Sequence, residues 1–140
     1  MKKLALSLIG ALSMLLLGGS ALAQTVHIRL SVPFDFNAGN KILPAGEYEL
    51  RSAGQPDNPG MLEICRMDGT VEMYIHASDL ESPSAARETK VVFRHYGNIY
   101  FLSELWTAGT RAGWEFPKTR AEINEAKNDS ARNVTLAAKN

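Results

Sequence analysis

The chain has 140 residues, with 15 basic and 15 acidic side chains and a single cysteine, Cys65. This balance disfavours a nucleic-acid-binding protein, which needs a basic surface to displace counterions from phosphates. One cysteine also excludes a disulfide within the chain.

The first 23 residues have the pattern of a cleavable secretory signal peptide. Two lysines precede an apolar stretch over residues 4–17, and Ala21-Leu22-Ala23 supplies the small residues that a signal peptidase accepts. The pattern predicts cleavage between Ala23 and Gln24. Because the apolar stretch is shorter than the roughly 20 residues that span a bilayer, we expect no stable membrane anchor. The sequence thus predicts an exported protein, located in the periplasm or outside the cell.

Cleavage removes 23 of the 140 residues and leaves 117, which is enough for one domain. The mature chain then carries 13 basic against 15 acidic residues, a net charge of −2. We expect a single β domain over residues 24–127 and a flexible tail over residues 128–140.

The mature chain begins with a clear strand pattern. Apolar residues occupy every second position, at Val26, Ile28, Leu30, Val32, Phe34 and Phe36. Period-two alternation of this length predicts an extended segment with one buried face. A second strand is predicted from Glu47 to Ser52.

A first hairpin is predicted around Asp68-Gly69, a dipeptide that favours a two-residue type I′ turn. Such a turn pairs Ile64 with Met73 and Arg66 with Val71. One face of the hairpin is then almost entirely apolar, which supports this register. Cys65 falls in this hairpin and is expected to be a half-buried strand residue.

A second hairpin is predicted around Gly97-Asn98. Its register places Arg94 opposite Phe101 and Val92 opposite Ser103. Because both faces of this hairpin are largely apolar or aromatic, we expect it to be central and covered on both sides.

A short helix is predicted from Arg120 to Lys127, since Thr119 and Glu122 have the spacing of a capping box. The segment from Asn128 onward has the composition of a frayed tail. Together these elements predict a mainly β fold: an antiparallel β-barrel or β-sandwich of six or seven strands with a short C-terminal helix.

The sequence predicts no catalytic residue, metal site or cofactor. It contains no H-E-x-x-H motif, no paired cysteines and no G-x-S-x-G motif. Glu104 and Glu115 are candidates for a hydrolytic carboxylate pair, but nothing in the sequence sets their separation. An enzyme is therefore less favoured than a binding protein.

The best candidates for ligand binding are aromatic and basic residues in the second half of the chain. Aromatic residues in strands commonly form the core, but they also stack on a sugar or peptide while arginines fix its orientation. The candidate residues are Arg94, Tyr96, Tyr100, Trp106, Arg111 and Trp114.

Several motifs resemble those of an uncharacterised family of small exported bacterial β proteins. They are Phe34-Asp35-Phe36-Asn37-Ala38-Gly39, Leu43-Pro44-Ala45-Gly46-Glu47-Tyr48, Val92-Phe93-Arg94-His95-Tyr96-Gly97, Tyr100-Phe101-Leu102-Ser103, Trp106-Thr107-Ala108-Gly109 and Glu115-Phe116-Pro117-Lys118-Thr119-Arg120-Ala121-Glu122. The resemblance covers most of the mature chain. It implies a shared fold and brings no activity, cofactor or site residue.

Three functions remain open from the sequence. The first is a non-enzymatic envelope or secreted module that holds a partner protein or a surface polymer. The second is a carrier for an apolar metabolite or lipid, with a barrel cavity lined by the phenylalanines of the first strand and the tyrosines. The third is a hydrolase whose site is too dispersed to recognise.

Overall fold

The computed structural model describes residues 25–54 and 58–140. In these residues eleven strands and one helix form two sheets that share a hydrophobic core. The mainly β fold is therefore confirmed, as a sandwich rather than a closed barrel. The predicted signal peptide and its cleavage site lie outside the described residues.

The first sheet has four antiparallel strands in the order β1-β4-β5-β6. Along β1 the apolar residues are buried and the alternate residues exposed, as the period-two pattern predicts. The strands are β1 (His27–Val32), β4 (Gly46–Ser52), β5 (Met61–Arg66) and β6 (Val71–His76).

The second sheet has the strand order β11-β8-β9-β10-β7, and the short strand β2 pairs with both β3 and the start of β9. Its strands are β2 (Phe36–Ala38), β3 (Lys41–Leu43), β7 (Ser78–Glu81), β8 (Lys90–Tyr96), β9 (Ile99–Trp106), β10 (Ala112–Glu115) and β11 (Arg132–Ala137). The predicted count of six or seven strands is too low, because several strands have only three or four residues and so show little alternation in the sequence.

Aromatic side chains fill the space between the sheets. The ring of Phe36 makes edge contacts with Tyr48 and Phe93, at centroid distances of 5.4 Å in both cases. All three side chains are almost completely buried. Such close packing gives the core its largest contacts.

The first hairpin keeps the predicted register only away from its turn. Ile64 pairs with Met73 as predicted, but Val71 pairs with Cys65 instead of Arg66. The type I′ prediction is wrong, because Gly69 has a positive φ of 88° while Asp68 does not. The amide of Gly69 donates to the carbonyl of Arg66 at 2.9 Å. A three-residue loop with a glycine bulge therefore replaces the two-residue turn, and Cys65 becomes fully buried.

The second hairpin contains a β-bulge that the sequence pattern did not predict. Arg94 pairs with Phe101 as expected, but Val92 pairs with Glu104 rather than Ser103. A bulge inserts one extra residue and so inverts the inside–outside alternation beyond it. The prediction that this hairpin is central is confirmed, since β8 lies between β11 and β9.

The helix α1 spans Arg120–Glu125 and is slightly shorter than predicted. Thr119 caps it, with its hydroxyl accepting from the amide of Glu122 at 3.2 Å. The carboxylate of Glu122 does not complete the capping box. It points inward and is 1% exposed, because Arg94 and Tyr96 bind it beneath the helix.

The predicted flexible tail is instead part of the second sheet. Residues Arg132–Ala137 form β11, which pairs with the whole length of β8. Beyond it, Lys139 exchanges two backbone hydrogen bonds with Arg29 of β1, at 2.7 and 3.0 Å. The C-terminal segment therefore connects the edges of the two sheets.

Candidate binding surface

Two of the predicted binding residues, Arg94 and Tyr96, belong to a buried polar network. The guanidinium of Arg94 binds both carboxylate oxygens of Glu122 and donates to Oγ of Ser103 at 2.6 Å. The hydroxyl of Tyr96 donates to Glu122 at 3.1 Å. Burial, reinforced by the charge of Glu122, raises the pKa of the Tyr96 phenol. Because these groups satisfy one another, the network holds α1 on the sheet.

The remaining predicted residues occupy separate places. Tyr100 is stacked between Phe34 and His95, at centroid distances of 3.8 and 4.2 Å. Trp114 is a core residue. Arg111 lies at the surface, where it pairs with Glu81 at 3.1 Å. The six residues therefore do not form one groove.

Trp106 is the predicted residue that is best placed to meet a ligand. It pairs with Gly113 of β10 on the outer face of the second sheet. A Cβ atom on Gly113 would lie 2.6 Å from Cε3 and 2.9 Å from Cδ2 of Trp106. The indole is therefore packed directly on the glycine backbone, a position that only glycine permits. Trp106 is partly exposed.

Glu104 and Glu115 flank this indole. They are direct cross-strand partners, which puts their Cβ atoms about 5 Å apart. The carboxylate of Glu104 accepts a hydrogen bond from Nε1 of Trp106 at 2.8 Å, which fixes the orientation of the ring. We call the surface formed by Trp106, Gly113, Glu104 and Glu115 the Trp106 platform.

The bulge in β9 explains why the platform faces outward. Leu102 and Leu105 both pack in the core, although they are three residues apart. With regular alternation they would lie on opposite faces, and Trp106 would point inward. The extra residue, Ser103, has no partner on β8, and its insertion turns Leu105 inward and Trp106 outward. The three-residue spacing of the two leucines is the one feature of the sequence that could have indicated this bulge. No feature of the sequence indicated that Gly113 packs against Trp106.

The platform combines a flat aromatic face with two hydrogen-bond-accepting carboxylates. The indole face carries partial negative charge and attracts C–H groups or cations. In the described residues, no group of three or more His, Cys, Asp and Glu side chains is arranged to hold a metal ion. The arrangement therefore fits the stacking and hydrogen bonding of a hydroxyl-rich ligand.

Among residues 25–54 and 58–140, no helix has the length and apolar character needed to cross a membrane. Comparison with family models, curated proteins and solved structures finds no match to this chain.

Proposed function

We propose that the protein is an exported, non-enzymatic module that binds a neutral polysaccharide on the Trp106 platform. The observation that carries the proposal is the orientation of Trp106, whose partly exposed indole lies on Gly113 at the outer face of the sheet. A bulge that turns a large aromatic side chain from the core to the surface costs buried apolar area. Bulges that re-aim side chains in this way are common next to binding and active sites.

The chemistry of the platform selects the type of polymer. The C–H groups on one face of a hexose ring meet the electron-rich face of an indole. The sugar hydroxyls can donate to the carboxylates of Glu104 and Glu115, which are acceptors when ionised. The same two charges repel acidic polymers. A neutral hexose or N-acetylhexosamine chain is therefore the best match.

The proposed location follows from the predicted leader. Removal of residues 1–23 would release the β domain outside the cytoplasm, where surface polysaccharides are found. Mass spectrometry of the exported protein tests this step. We expect a mature chain that begins at Gln24, whereas an intact N-terminus would contradict it.

The packing of the interior favours this surface over an internal carrier cavity. Phe34 and Phe36, which a carrier would use to line its cavity, both make edge contacts with Phe93. Their rings occupy the space that an apolar ligand would need. A site on the outer face requires no such space.

A hydrolase remains the second candidate, because the sheet register brings Glu104 and Glu115 together. Retaining glycosidases hold two carboxyl groups about 5 Å apart, whereas the register of this sheet sets only the Cβ atoms at about that distance. However, Glu104 already accepts a hydrogen bond from Trp106, and the two glutamates lie on adjacent strands of one sheet rather than across a cleft. Binding without bond cleavage is therefore the stronger proposal.

Isothermal titration calorimetry of the mature chain with cellohexaose and chitohexaose tests the proposal, with a hexamer of galacturonic acid as the acidic comparison. We expect one or both neutral oligosaccharides to bind and the acidic one not to bind. Trp106→Ala should weaken binding at least tenfold, which corresponds to about 1.4 kcal/mol.

Tyr74→Ala is the matched control, because Tyr74 is an exposed aromatic residue on the other sheet, 59% accessible. It should leave the affinity unchanged. If neither neutral oligosaccharide binds, or if Trp106→Ala and Tyr74→Ala behave alike, the proposal is wrong. If the protein releases new reducing ends from an oligosaccharide, and Glu115→Gln abolishes this release, the protein is a hydrolase instead.

A further inference from the structure

A second site lies on the same outer face, at the opposite end of β9. Here a pocket of about 270 Å³ is bounded by β9, by α1 and by the chain around β2 and β3. Ile99 and Phe101 project from the same face of β9 and line its floor. We call it the hairpin-tip pocket, because it adjoins the turn between β8 and β9. It is some seven residues, or roughly 23 Å, from Trp106 and so is independent of the proposed polysaccharide site.

The walls of this pocket are both apolar and acidic. Ala121 and Glu125 lie four residues apart on one face of α1, and Asp35 and Ile42 also line the pocket. Ile42 is 68% exposed, and Ile99 beside it is 37% exposed, so both apolar side chains are accessible to a ligand. Of the described residues that line the pocket, none is a lysine or an arginine.

One carboxylate of the pocket retains clear capacity to bind a ligand. Asp35 uses Oδ1 to accept the amide of Ala45 at 2.9 Å, which fixes the side chain, and its second oxygen makes no hydrogen bond with the described residues. Glu125 contributes a second carboxylate to the lining of the pocket. Two negative charges beside an apolar floor complement a ligand that has an apolar body and one positive end.

We propose that the hairpin-tip pocket binds a small apolar primary amine. Its ammonium group would interact with Asp35 and Glu125, and its hydrocarbon part would cover Ile42 and Ile99. The volume is sufficient for a phenylalkylamine and too small for a typical drug-sized ligand, which needs at least about 300 Å³. A carboxylate of the same shape would meet like charges and be excluded.

Thermal unfolding of the mature chain in the presence of phenethylammonium or 3-phenylpropionate tests the proposal. The two ions are similar in size and opposite in charge. A ligand that binds the folded state raises the unfolding midpoint with concentration. We expect this rise with phenethylammonium only, and a Kd at least fivefold weaker in Glu125→Gln. The control Glu88→Gln alters an exposed glutamate outside the pocket and should leave the Kd unchanged.

Ile42→Lys provides a second, independent variant. It places an ammonium group at the mouth of the pocket and should abolish the shift, while Ile123→Lys, at an exposed residue of α1 that does not line the pocket, should preserve it. Equal shifts with the two ions, no shift with phenethylammonium, or an unchanged Kd in Glu125→Gln would overturn the proposal. None of these results depends on whether the protein binds polysaccharide.

Discussion

Cys65 illustrates how one side chain is controlled by its neighbours. It is fully buried, and Nη2 of Arg51 donates to its sulfur at 3.0 Å. Burial raises the pKa of the Cys65 thiol, and this effect outweighs the opposing hydrogen bond from Arg51. At neutral pH the group is therefore a protonated, shielded thiol rather than a nucleophilic thiolate.

Cys65 should accordingly react very slowly with a disulfide reagent such as DTNB in the folded protein at pH 7. In urea, where the thiol is exposed, the same reagent should modify it completely within minutes. The absorbance of the released thiolate measures both rates. Rapid modification of the folded protein would show that the thiol is accessible or ionised.

Two buried tyrosines make the protein sensitive to alkaline pH. Burial raises the pKa of Tyr48 and of Tyr96 above the ordinary value of 10.0. Since the folded state disfavours the phenolate, their contribution to stability is complete below the unfolded-state pKa and is lost as pH rises through the folded-state pKa. The free energy of unfolding should therefore fall above about pH 10, where phenolate absorbance should show Tyr48 and Tyr96 ionising late. Normal ionisation of all four tyrosines in the folded protein would contradict this.

At the scale of single elements, α1 is too short to be stable by itself, because isolated helices need about 12 residues or more. Its position depends on the ion pair between Arg94 and Glu122, whose side chains are 10% and 1% exposed. Breaking a buried pair leaves an uncompensated charge in the interior. The network therefore determines whether α1 stays on the sheet.

Replacing Glu122 with alanine should lower the free energy of unfolding by about 3–5 kcal/mol, because Arg94 would remain buried without its partner. Asn124→Ala, on an exposed position of the same helix, should change it by less than about 0.5 kcal/mol. Urea unfolding measures both values. The double replacement Arg94→Met with Glu122→Leu should recover much of the lost free energy of unfolding. Similar small effects of Glu122→Ala and Asn124→Ala would contradict the role of the ion pair in holding α1.

The C-terminal strand β11 should be an integral part of the sheet. Leu136 is partly buried and packs against the core, whereas its neighbour Thr135 is exposed. Leu136→Asp would place a charge against the core and should cost at least about 2 kcal/mol of stability. Thr135→Asp should cost far less, and chemical denaturation compares the two. Equal effects would indicate that this segment is not held on β8.

At the scale of the whole molecule, the parts that alternation and turns control were predictable from sequence. The buried face of β1 and the pairing of Arg94 with Phe101 both followed from local patterns. The two bulges were not predictable, because one inserted residue changes the register without altering composition. For the same reason the sequence suggested Trp106 as a binding residue but could not show which way it faces.

Long-range contacts account for the other differences between the predicted and the observed structure. Glu122 has the spacing of a capping residue, yet a buried arginine from another element binds it more strongly than the helix terminus does. The tail looked frayed because it is polar and short of apolar residues. It is ordered because β8 offers a complete edge for backbone pairing. The result is a packed sandwich whose potential ligand sites lie on its outer face.

The role of Trp106 in binding is measured most directly by the indole N–H signals of the two tryptophans, Trp106 and Trp114. In ¹H–¹⁵N NMR spectra of the mature chain titrated with cellohexaose or chitohexaose, we expect the Trp106 signal to shift in a saturable way. The Trp114 signal, from a side chain in the core, should stay in place. An unchanged Trp106 signal at millimolar oligosaccharide, or equal shifts of both signals, would contradict the proposal that Trp106 binds the polysaccharide.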